Sequence, residues 1–549
     1  MLGDTTFRAF LHDYYNRWTL KHVDELAMRG SAERVSGREL QWFFDEWVRK
    51  TGLLDYSLDE VRTTQRPDGQ WLTRAELVLR GGYEHPIAVG AHTSAGWTLI
   101  RGNPASDRQI IQIVTAQRPD DVRIDPFHVT WDWDRRNDKR SGALLGIKRP
   151  RAVFDWPFLQ QADRERSILA LFPMLWLAPP SDASRCSAGA PACRVNKSAL
   201  TVGARARSSY LALVDKYELG FAMTTGASDR FASRMNAWAR VENPYVPFSA
   251  RPLMGVGADA AFLDGIWRMD LRRTWDLSRF AFAPSPRILA TARFTGAYPT
   301  DRRILPEQWA NEHVTEVGGD VVVRMPITLD SGTTTFRASL ASGLARERGS
   351  STVARGYVRA EASATRVAFL ESGTFAVVGR LYGAASSKAP LQRAIYASTA
   401  DPFETFWNHW FRPQDAFLKH SGTNFQPLGG AALRGYDYRI PLERVAAGNL
   451  EIAERVLMLG TERSGRQSLW ISAFGDIAGA ASTLRELHGG FLADVGVGVA
   501  LRGRLYDRDI RIRLDLPLLV QQPGLSIGEG RGGNGNIALR WALSFSDLW

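Results

Sequence analysis

Cysteine is nearly absent from this chain, which has 549 residues but only two cysteines, Cys186 and Cys193. Six residues separate them in SRCSAGAPACR, where small residues, a glycine and a proline favour a tight loop. No histidine lies nearby to complete a metal site, so we predict a local disulfide between the two. A disulfide implies an oxidising compartment, either the periplasm or the cell surface.

Long apolar runs are also missing. No stretch reaches the roughly 18 apolar residues that a transmembrane helix requires. The longest apolar run, residues 168–180, is too short and contains Pro173 in its middle. The first residues, Met-Leu-Gly-Asp-Thr-Thr, lack the basic and apolar regions of a signal peptide. Because other features of the chain are typical of export, we expect it to begin partway through a longer polypeptide.

A clustered basic face is the third feature that the chain lacks. The net charge is +11, but lysine and arginine are spread over the whole length. Binding of nucleic acid needs a basic patch interleaved with stacking aromatic side chains. We therefore expect no nucleic-acid partner, and interpret the charges as a solvated surface or an arginine-lined lumen.

The beginning of the chain has the pattern of amphipathic helices. Apolar residues between positions 7 and 18 recur at intervals of three and four, and Gly30 is expected to close this first helix. A second helix is predicted to start at Ser36, with Glu39 completing a capping box, and to end at Gly52. Two packed helices are the simplest interpretation.

The same region also resembles a known family. The segments FRAFLHDYYNRWTLKH and VSGRELQWFFDEWVRKTGLLDY lie between residues 7 and 56. They resemble the end of the helical catalytic domain of the membrane alanyl aminopeptidase family of gluzincin zinc peptidases. The resemblance implies that residues 1–56 are the truncated helical end of such a domain, and that a small β-sandwich follows it.

The catalytic chemistry of that family requires a His-Glu-x-x-His helix, in which two histidines bind Zn²⁺ and the glutamate activates water. None of the nine histidines belongs to such a motif, and His313, next to Glu312, has no histidine four residues away. We therefore predict no catalytic residue, metal site or cofactor here, and no peptidase activity of the chain alone. Zinc is expected only in a missing upstream domain.

Strand patterns fill the rest of the chain. Residues 57–134 contain short alternating strands between glycines and prolines, which predicts the small β-sandwich, and the charged and aromatic residues 135–166 are predicted to form a linker. Residues 167–549 repeat strands such as ALTVGARAR and YELGFAM. Strands of about ten to thirteen residues with turns and loops give an antiparallel transmembrane β-barrel of about 16 strands. The predicted fold class is mainly β.

The last thirteen residues, IALRWALSFSDLW, carry the clearest strand pattern. Apolar side chains fall on one face of this strand, whereas Arg540 and small residues fall on the other. The pattern resembles the closing strand of bacterial outer-membrane β-barrels, which also serves as their assembly signal. By that resemblance the signal comprises Trp541, Leu543, Phe545 and Trp549. An ordinary half-buried strand is the alternative.

A glycine-rich motif, GGAALRGY at residues 429–436, lies upstream of the last strands. It resembles the loop motif of the bacterial surface-antigen barrels, which include the outer-membrane assembly factor and the two-partner-secretion transporters. The resemblance implies that the arginine of the motif folds into the lumen and pairs with the aspartate of an F-x-D-x-G stretch on a neighbouring strand. The motif residues are Gly429, Gly430, Arg434, Gly435 and Tyr436.

The stretch FGDIAG supplies the candidate aspartate, Asp476, although Gly479 lies one position later than in the usual pattern. Five strands are predicted after the motif, with short turns TERSGRQ and YDRD and a long loop QQPGLSIGEGRGGNGN. Short periplasmic turns and long external loops are typical of outer-membrane barrels, so the motif is expected on the extracellular side. The residues expected to make the lumen cationic are Arg205, Arg207, Arg511, Arg513 and Arg540.

Three functions remain open from the sequence. The first is an outer-membrane barrel, an anchor or pore, that carries the C-terminal remnant of an aminopeptidase-like periplasmic module. The second is a surface-antigen-type pore that translocates or assembles a peptide or protein client. The third is a soluble β-rich binding protein. The first two predict the lipid bilayer and the outer-membrane assembly machinery as partners, a location in the bacterial outer membrane, and a periplasmic N-terminal part.

Overall fold

A computed structural model shows a mainly β protein with a few short helices, which confirms the predicted fold class at that level. The structure describes residues 2–49, 53–83, 85–103, 106–140, 143–144, 147–156, 162–178, 199–211, 214–225, 235–243, 253–278, 286–300, 309–327, 332–349, 353–370, 373–407, 428–436, 440–461, 465–481, 491–505, 508–522 and 536–544. The chain divides into two compact units. Unit 1 comprises Met1–Pro150 and Arg164–Ser167, and unit 2 comprises Arg151–Asp163 and Ile168–Trp549.

Unit 1 begins with three helices. Helix α1 spans Asp4–Trp18, α2 spans Glu25–Ser36 and α3 spans Gln41–Phe44, and a π-helical turn, Asp45–Arg49, follows directly. A small apolar core, which includes Phe10, Leu40 and Phe44, packs them together. No helix among the described residues is long and apolar enough to cross a membrane.

The predicted helix limits at Gly30 and Ser36 are wrong. Gly30 lies inside α2, and Ser36 is its last residue instead of the first residue of another helix. The start of α2 is set by Asp24, whose carboxylate accepts the Ala27 N–H at 2.9 Å. Its end is set by Gly37, which adopts a left-handed conformation with φ of 64°. The periodic pattern gave the helical content correctly but not these two caps.

Two three-stranded sheets form the rest of unit 1. Their strand orders are β1-β2-β5 and β4-β3-β6. Both sheets contribute to one apolar core, with Leu77 and Ile113 from the first sheet and Val89 and Ile124 from the second. The strands are β1 Tyr56–Gln65, β2 Trp71–Leu79, β3 Ala88–Thr93, β4 Gly96–Arg101, β5 Arg108–Thr115 and β6 Asp121–Ile124.

Residues after position 134 belong to the same unit. The Ile124 N–H donates to the Asp138 carbonyl at 2.8 Å, and the Arg136 guanidinium binds Asp134 at 2.7 Å. A short hairpin, β7 Ala143–Leu144 with β8 Ile147–Lys148, follows. The unit boundary therefore falls after Pro150, whereas a linker was predicted to begin at residue 135. The predicted division of residues 1–134 into two domains stays a prediction.

Unit 2 is built on one large sheet, with seventeen strands among the described residues. The strands are β9 Arg151–Phe154, β10 Ile168–Ala178, β11 Ala199–Tyr210, β12 Val214–Thr224, β13 Met235–Asn243, β14 Leu253–Leu263, β15 Ile266–Asp276, β16 Arg287–Pro299, β17 Glu312–Ile327, β18 Gly332–Glu347, β19 Arg355–Leu370, β20 Phe375–Ser387, β23 Arg444–Thr461, β24 Gly465–Ala481, β25 Phe491–Leu505, β26 Arg508–Val520 and β27 Ala542–Ser544. A separate two-stranded ribbon pairs β21 Ile395–Tyr396 with β22 Pro441–Leu442.

Neighbouring strands from β10 to β27 pair antiparallel, each with the next of these strands along the chain. The short strand β9 is the exception, because it pairs in parallel with the first four residues of β10. The predicted number of about 16 membrane strands stays a prediction. The end of the chain pairs with β26 through Ala542–Ser544 and an isolated bridge from Ile537 to Leu519.

The two faces of the large sheet differ in chemistry. Along β25, Val495, Val497 and Val499 are 41–54% exposed, whereas Asp494 on the opposite face is fully buried. Period-two alternation of a strand produces this division. We call the face with the buried charged groups the polar face and the other the apolar face. The residues just before β27 follow the same rule, with Leu539 exposed and Arg540 buried.

A long insertion between β20 and β23, residues 388–436, is called the inserted segment, and its described residues 388–407 and 428–436 pack on the polar face. Its described part contains one turn of 3₁₀-helix, Leu391–Arg393, and a short helix α4, Pro402–Thr405. Phe403 and Phe406 of the segment share a core with Trp176 of β10 and Trp238 of β13. A second core packs Leu433 and other residues of the segment against strands β20 to β26. Strands from both ends of the sheet contact the segment, so the sheet curves around it.

Candidate functional site

The glycine-rich motif lies within the inserted segment, where a tight turn leads the chain onto the polar face. Gly430 has φ of 54°, and a Cβ atom there would lie 2.1 Å from the Tyr396 carbonyl oxygen. Only glycine fits both the backbone angle and the space. The turn is held by hydrogen bonds from the Ala431 N–H to the Tyr396 carbonyl at 3.1 Å and from the Ala432 N–H to the Gly429 carbonyl at 2.9 Å.

Arg434 of the motif is fully buried, with no exposed surface. Its Nε and Nη2 atoms each donate to Asp476 of β24 at 2.8 Å, and Nη1 donates to Glu451 of β23 at 2.8 Å. The guanidinium also stacks on Phe474, with 3.7 Å between its central carbon and the ring centroid. The planar fork of arginine suits this two-point grip on a carboxylate. The structure thus brings the predicted pair Arg434 and Asp476 together.

A second arginine completes the arrangement. Arg513 of β26 donates from Nη1 to Glu451 at 2.8 Å and from Nε to Asp515 at 2.7 Å. Glu451 therefore bridges two arginines, one from the inserted segment and one from the sheet. We call Arg434, Glu451, Asp476 and Arg513 the arginine cluster. The sequence predicted the pair of Arg434 and Asp476 but not the bridge through Glu451 to Arg513. The pairing of three strands decides which charged groups meet there.

The remaining motif residues fasten the backbone on either side of Arg434. The Tyr436 hydroxyl donates to the Ala493 carbonyl at 2.9 Å and accepts the Ala493 N–H at 3.0 Å. A Cβ atom on Gly435 would lie 2.8 Å from the Asp494 Cβ, so the segment approaches β25 too closely for any side chain at that position. Asn449 of β23 donates to the Asp476 carboxylate at 3.1 Å.

A separate group of charges holds the other part of the inserted segment. Arg393 donates to both carboxylate oxygens of Glu316 of β17, at 2.7 and 2.9 Å, and also binds Asp401. Asp401 in turn binds Arg359 of β19 and caps α4 by accepting the Glu404 N–H at 2.9 Å. We call Arg359, Arg393, Asp401 and Glu316 the Asp401 cluster. No motif in the sequence pointed to it.

Space remains on the polar face beside α4. A cavity of about 390 Å³ lies there, lined by charged residues of β13 to β19 and by Trp407 of the inserted segment. Arg293 of β16 and Arg337 of β18 reach this cavity and are exposed. The segment therefore fills only part of the enclosed space.

The other predicted cationic residues take different roles. Arg205 binds the buried carboxylate of Asp155, the residue after β9, at 3.0 Å, and Arg207 binds the same carboxylate. Arg513 and Arg540 are buried, and Arg511 is exposed.

In the predicted assembly signal, Trp541 and Leu543 are half-buried. Cys186, Cys193, Phe545 and Trp549 lie outside the described residues, so the disulfide and the rest of the signal stay predictions.

Unit 1 contains a group of acidic side chains that the sequence did not single out. Asp55, Asp132 and Asp138, which we call the carboxyl cluster, are each less than 7% exposed. Burial and the nearby carboxylates raise the pKa of Asp55 to about 6, that of Asp132 to about 8 and that of Asp138 to about 9. The hydrogen bonds from the Asn137 side chain to Asp55 at 2.8 Å and from the Tyr56 N–H to Asp132 at 3.0 Å only partly offset burial.

Metal binding has no geometric support within the described ranges, where no three His, Cys, Asp or Glu side chains could hold a metal ion together. The predicted absence of a cofactor stays a prediction.

Comparisons with known proteins find matches among solved structures only. No protein-family model and no curated protein matches it. Among solved structures, BamA from Haemophilus ducreyi, lacking POTRA domains 1–3, aligns over 98% of this chain and 98% of its own, with 9% identity and a TM-score of 0.35. CdiB from Acinetobacter baumannii aligns over 68% of this chain and 58% of its own, with 9% identity and a TM-score of 0.35. Scores at this level support no conclusion about this chain.

Proposed function

We propose that unit 2 is an outer-membrane β-barrel pore of the surface-antigen type, which translocates or assembles a protein client and is closed at rest by the inserted segment. The observation that carries the proposal is the enclosed guanidinium of Arg434, bound by carboxylates on two neighbouring strands. Both carboxylates are buried on the polar face. Arg434 can reach them only if the inserted segment lies against that face.

The apolar face supports a membrane location. Side chains such as Leu219, Phe221, Leu381 and Leu450 are more than half exposed on long strands. In water a continuous exposed apolar face of this kind would favour aggregation, whereas lipid is its natural surroundings. The polar face, with its cavity and charged groups, suits a lumen. A soluble binding protein, the third function open from the sequence, does not account for this division of faces.

The arrangement also suggests how the pore is controlled. The described parts of the inserted segment are held at the arginine cluster and at the Asp401 cluster, and they contact strands from β10 to β26. Passage of a client requires the segment to move. Buried ion pairs contribute specificity more reliably than net stability, so the clusters fix one position of the segment without making that position irreversible.

Membrane insertion is tested on the full chain by fractionation and gel mobility. We expect extraction from outer membranes only by detergent, and a folded form that migrates differently before and after boiling. Extraction by salt or carbonate alone, with one mobility at all temperatures, would overturn the barrel.

Closure of the pore is tested in cells with Arg434→Ala. Loss of the guanidinium should free the segment and let large antibiotics such as vancomycin cross the outer membrane, which lowers their inhibitory concentration. Arg293→Ala is the matched control, because Arg293 is exposed on β16 and faces the cavity. Equal sensitivity of the wild type and both variants would contradict a closed pore.

A simple anchor is the second candidate, and the double fastening of the segment favours it. Under this function the barrel would only hold a periplasmic module, of which residues 1–56 would be an aminopeptidase-like remnant. Deletion of the gene separates the two, since only the pore predicts a defect in secretion or assembly of a specific client. A His-Glu-x-x-His motif in the upstream reading frame would support the remnant. Resistance of unit 1 to protease added outside intact cells would support its periplasmic location.

A further inference from the structure

Unit 1 exposes three large apolar side chains on one short loop. Phe127, Val129 and Trp131, in the sequence FHVTW that follows β6, are 61%, 74% and 71% exposed. Single exposed apolar residues are common on protein surfaces, but three in five residues form a patch that needs a partner. We call residues 127–131 the FHVTW loop.

The loop is held firmly in this exposed conformation. The Asp125 carboxylate accepts the Val129 N–H at 3.0 Å, the Thr130 N–H at 2.7 Å and the Thr130 hydroxyl at 2.6 Å. The Thr130 carbonyl accepts a hydrogen bond from Arg135 at 2.8 Å. A loop whose backbone is fixed in this way can bind a partner at low entropic cost. The exposure of its apolar side chains is therefore a built feature of unit 1.

A cationic side chain lies against the exposed face of the loop. The Arg164 guanidinium lies over the Trp131 ring, 5.2 Å from its centroid, and Arg166 is exposed two residues further on. One acidic group is present as well, because Glu165 pairs with His128 at 3.4 Å. Aromatic and aliphatic side chains flanked by arginine are typical of surfaces that enter the headgroup region of a bilayer.

The position of Arg164 in the chain selects the membrane over a protein partner. Only three residues separate Arg164 from Ile168, where β10 begins. Four residue steps span at most about 14 Å of fully extended chain. In the proposed function β10 crosses the membrane, so Arg164, whose guanidinium lies over the Trp131 ring, is joined to a membrane-spanning strand by this short stretch of chain.

We infer that the FHVTW loop is a membrane-surface anchor that inserts Phe127, Val129 and Trp131 into the bilayer interface, with Arg164 and Arg166 at anionic lipid headgroups. The inference rests on the proposed membrane location of unit 2. It adds a lipid-binding site in unit 1, a part of the chain that does not itself cross the membrane.

The test places an environment-sensitive fluorophore, NBD, at Val129→Cys in the full chain with Cys186→Ser and Cys193→Ser. The labelled protein is reconstituted in phosphatidylethanolamine–phosphatidylglycerol vesicles that contain brominated lipids. Amphipathic interfacial elements lie about 5–10 Å into the headgroup and acyl boundary, so we expect blue-shifted emission and strong quenching. Ile110→Cys is the matched control, since Ile110 is an equally exposed apolar residue of unit 1, 65% exposed on β5. Its label should stay unquenched.

Lipid charge gives a second readout. With phosphatidylcholine in place of phosphatidylglycerol, or with Arg164→Gln and Arg166→Gln, quenching at position 129 should weaken but persist, because the apolar side chains still insert. Equal quenching at positions 129 and 110 overturns the inference. An NBD label at position 129 that stays unquenched, with emission typical of water, overturns it as well. Heat-modifiable mobility is recorded on the same samples. A folded barrel with an unquenched label refutes the loop anchor alone, whereas a chain that never inserts refutes the proposed function as well.

Discussion

The arginine cluster of unit 2 and the carboxyl cluster of unit 1 show two ways to bury acidic side chains. In the arginine cluster, Asp476 and Glu451 are each bound directly by arginine at 2.8 Å. In the carboxyl cluster, burial and the neighbouring carboxyls raise the pKa of Asp132 to about 8 and that of Asp138 to about 9. An arginine offsets the cost of burying a carboxylate, whereas burial and crowding without such a partner favour the protonated form of an acid. The first cluster therefore depends on its arginines, and the second depends on pH.

Removal of the arginine that neutralises Asp476 should have the largest effect. Arg434→Met leaves Asp476 and one side of Glu451 buried without their partner, a change that typically costs about 3–5 kcal/mol. We expect the inserted segment to become sensitive to proteinase K, while the sheet keeps its heat-modifiable mobility. Arg293→Met, which changes an exposed arginine, should leave the segment resistant. Unchanged protection of the segment in Arg434→Met would show that the cluster does not hold it.

A second substitution should partly restore the protection of the inserted segment. Asp476→Leu added to Arg434→Met removes the carboxylate that the first change leaves unpaired, and Glu451 keeps Arg513 as its partner at 2.8 Å. Coupled residues in one network show interaction energies of about 0.5–3 kcal/mol. The double variant should therefore protect the segment better than Arg434→Met alone, as measured by the rate of proteinase K cleavage. Additive losses would refute direct coupling.

The close approach of the segment to β25 predicts a smaller effect. Gly435→Ala places a methyl group 2.8 Å from the Asp494 Cβ and 2.9 Å from a Val520 methyl group. Overpacking of this kind costs about 1–3 kcal/mol, so cleavage of the segment should accelerate modestly. Gly479→Ala is the control, because a methyl group there has nothing within 4 Å. Identical behaviour of the two variants would contradict tight packing of the motif.

The carboxyl cluster predicts a loss of stability that depends on pH. Its folded-state pKa values lie above those of the unfolded chain, so the folded state retains protons that unfolding releases. The contribution of the cluster to the free energy of unfolding is fully present below about pH 4. It is lost as the pH rises toward 9, by about 1.4 kcal/mol per pH unit for each retained proton. The thermal transition of unit 1 should drop between pH 6.5 and 7.5, and Asp138→Asn should flatten this slope. A transition that rises with pH would show that the cluster is ionised.

The sequence predicted the alternating strands and the order of the last ones, because period-two patterns determine which face a side chain occupies. The pair of Arg434 and Asp476 came from the resemblance of residues 429–436 to a known loop motif. The sequence did not reveal Glu451, the pairing of Arg513 with Glu451, or the Asp401 cluster. Those partners depend on strand register and on the path of the inserted segment, neither of which is encoded in a local pattern. The carboxyl cluster was missed for the same reason, since Asp55 and Asp132 lie 77 positions apart. The helix limits in unit 1 failed because Asp24 and Gly37 were not recognised as caps.

Single-channel recording in planar bilayers tests the central claim most directly, which is that Arg434 holds the inserted segment closed inside a membrane pore. The wild-type chain should show rare or small conductance steps. Arg434→Ala should show larger and more frequent openings in the same lipid, and Arg293→Ala should resemble the wild type. Conductance that is unchanged in Arg434→Ala would contradict the account.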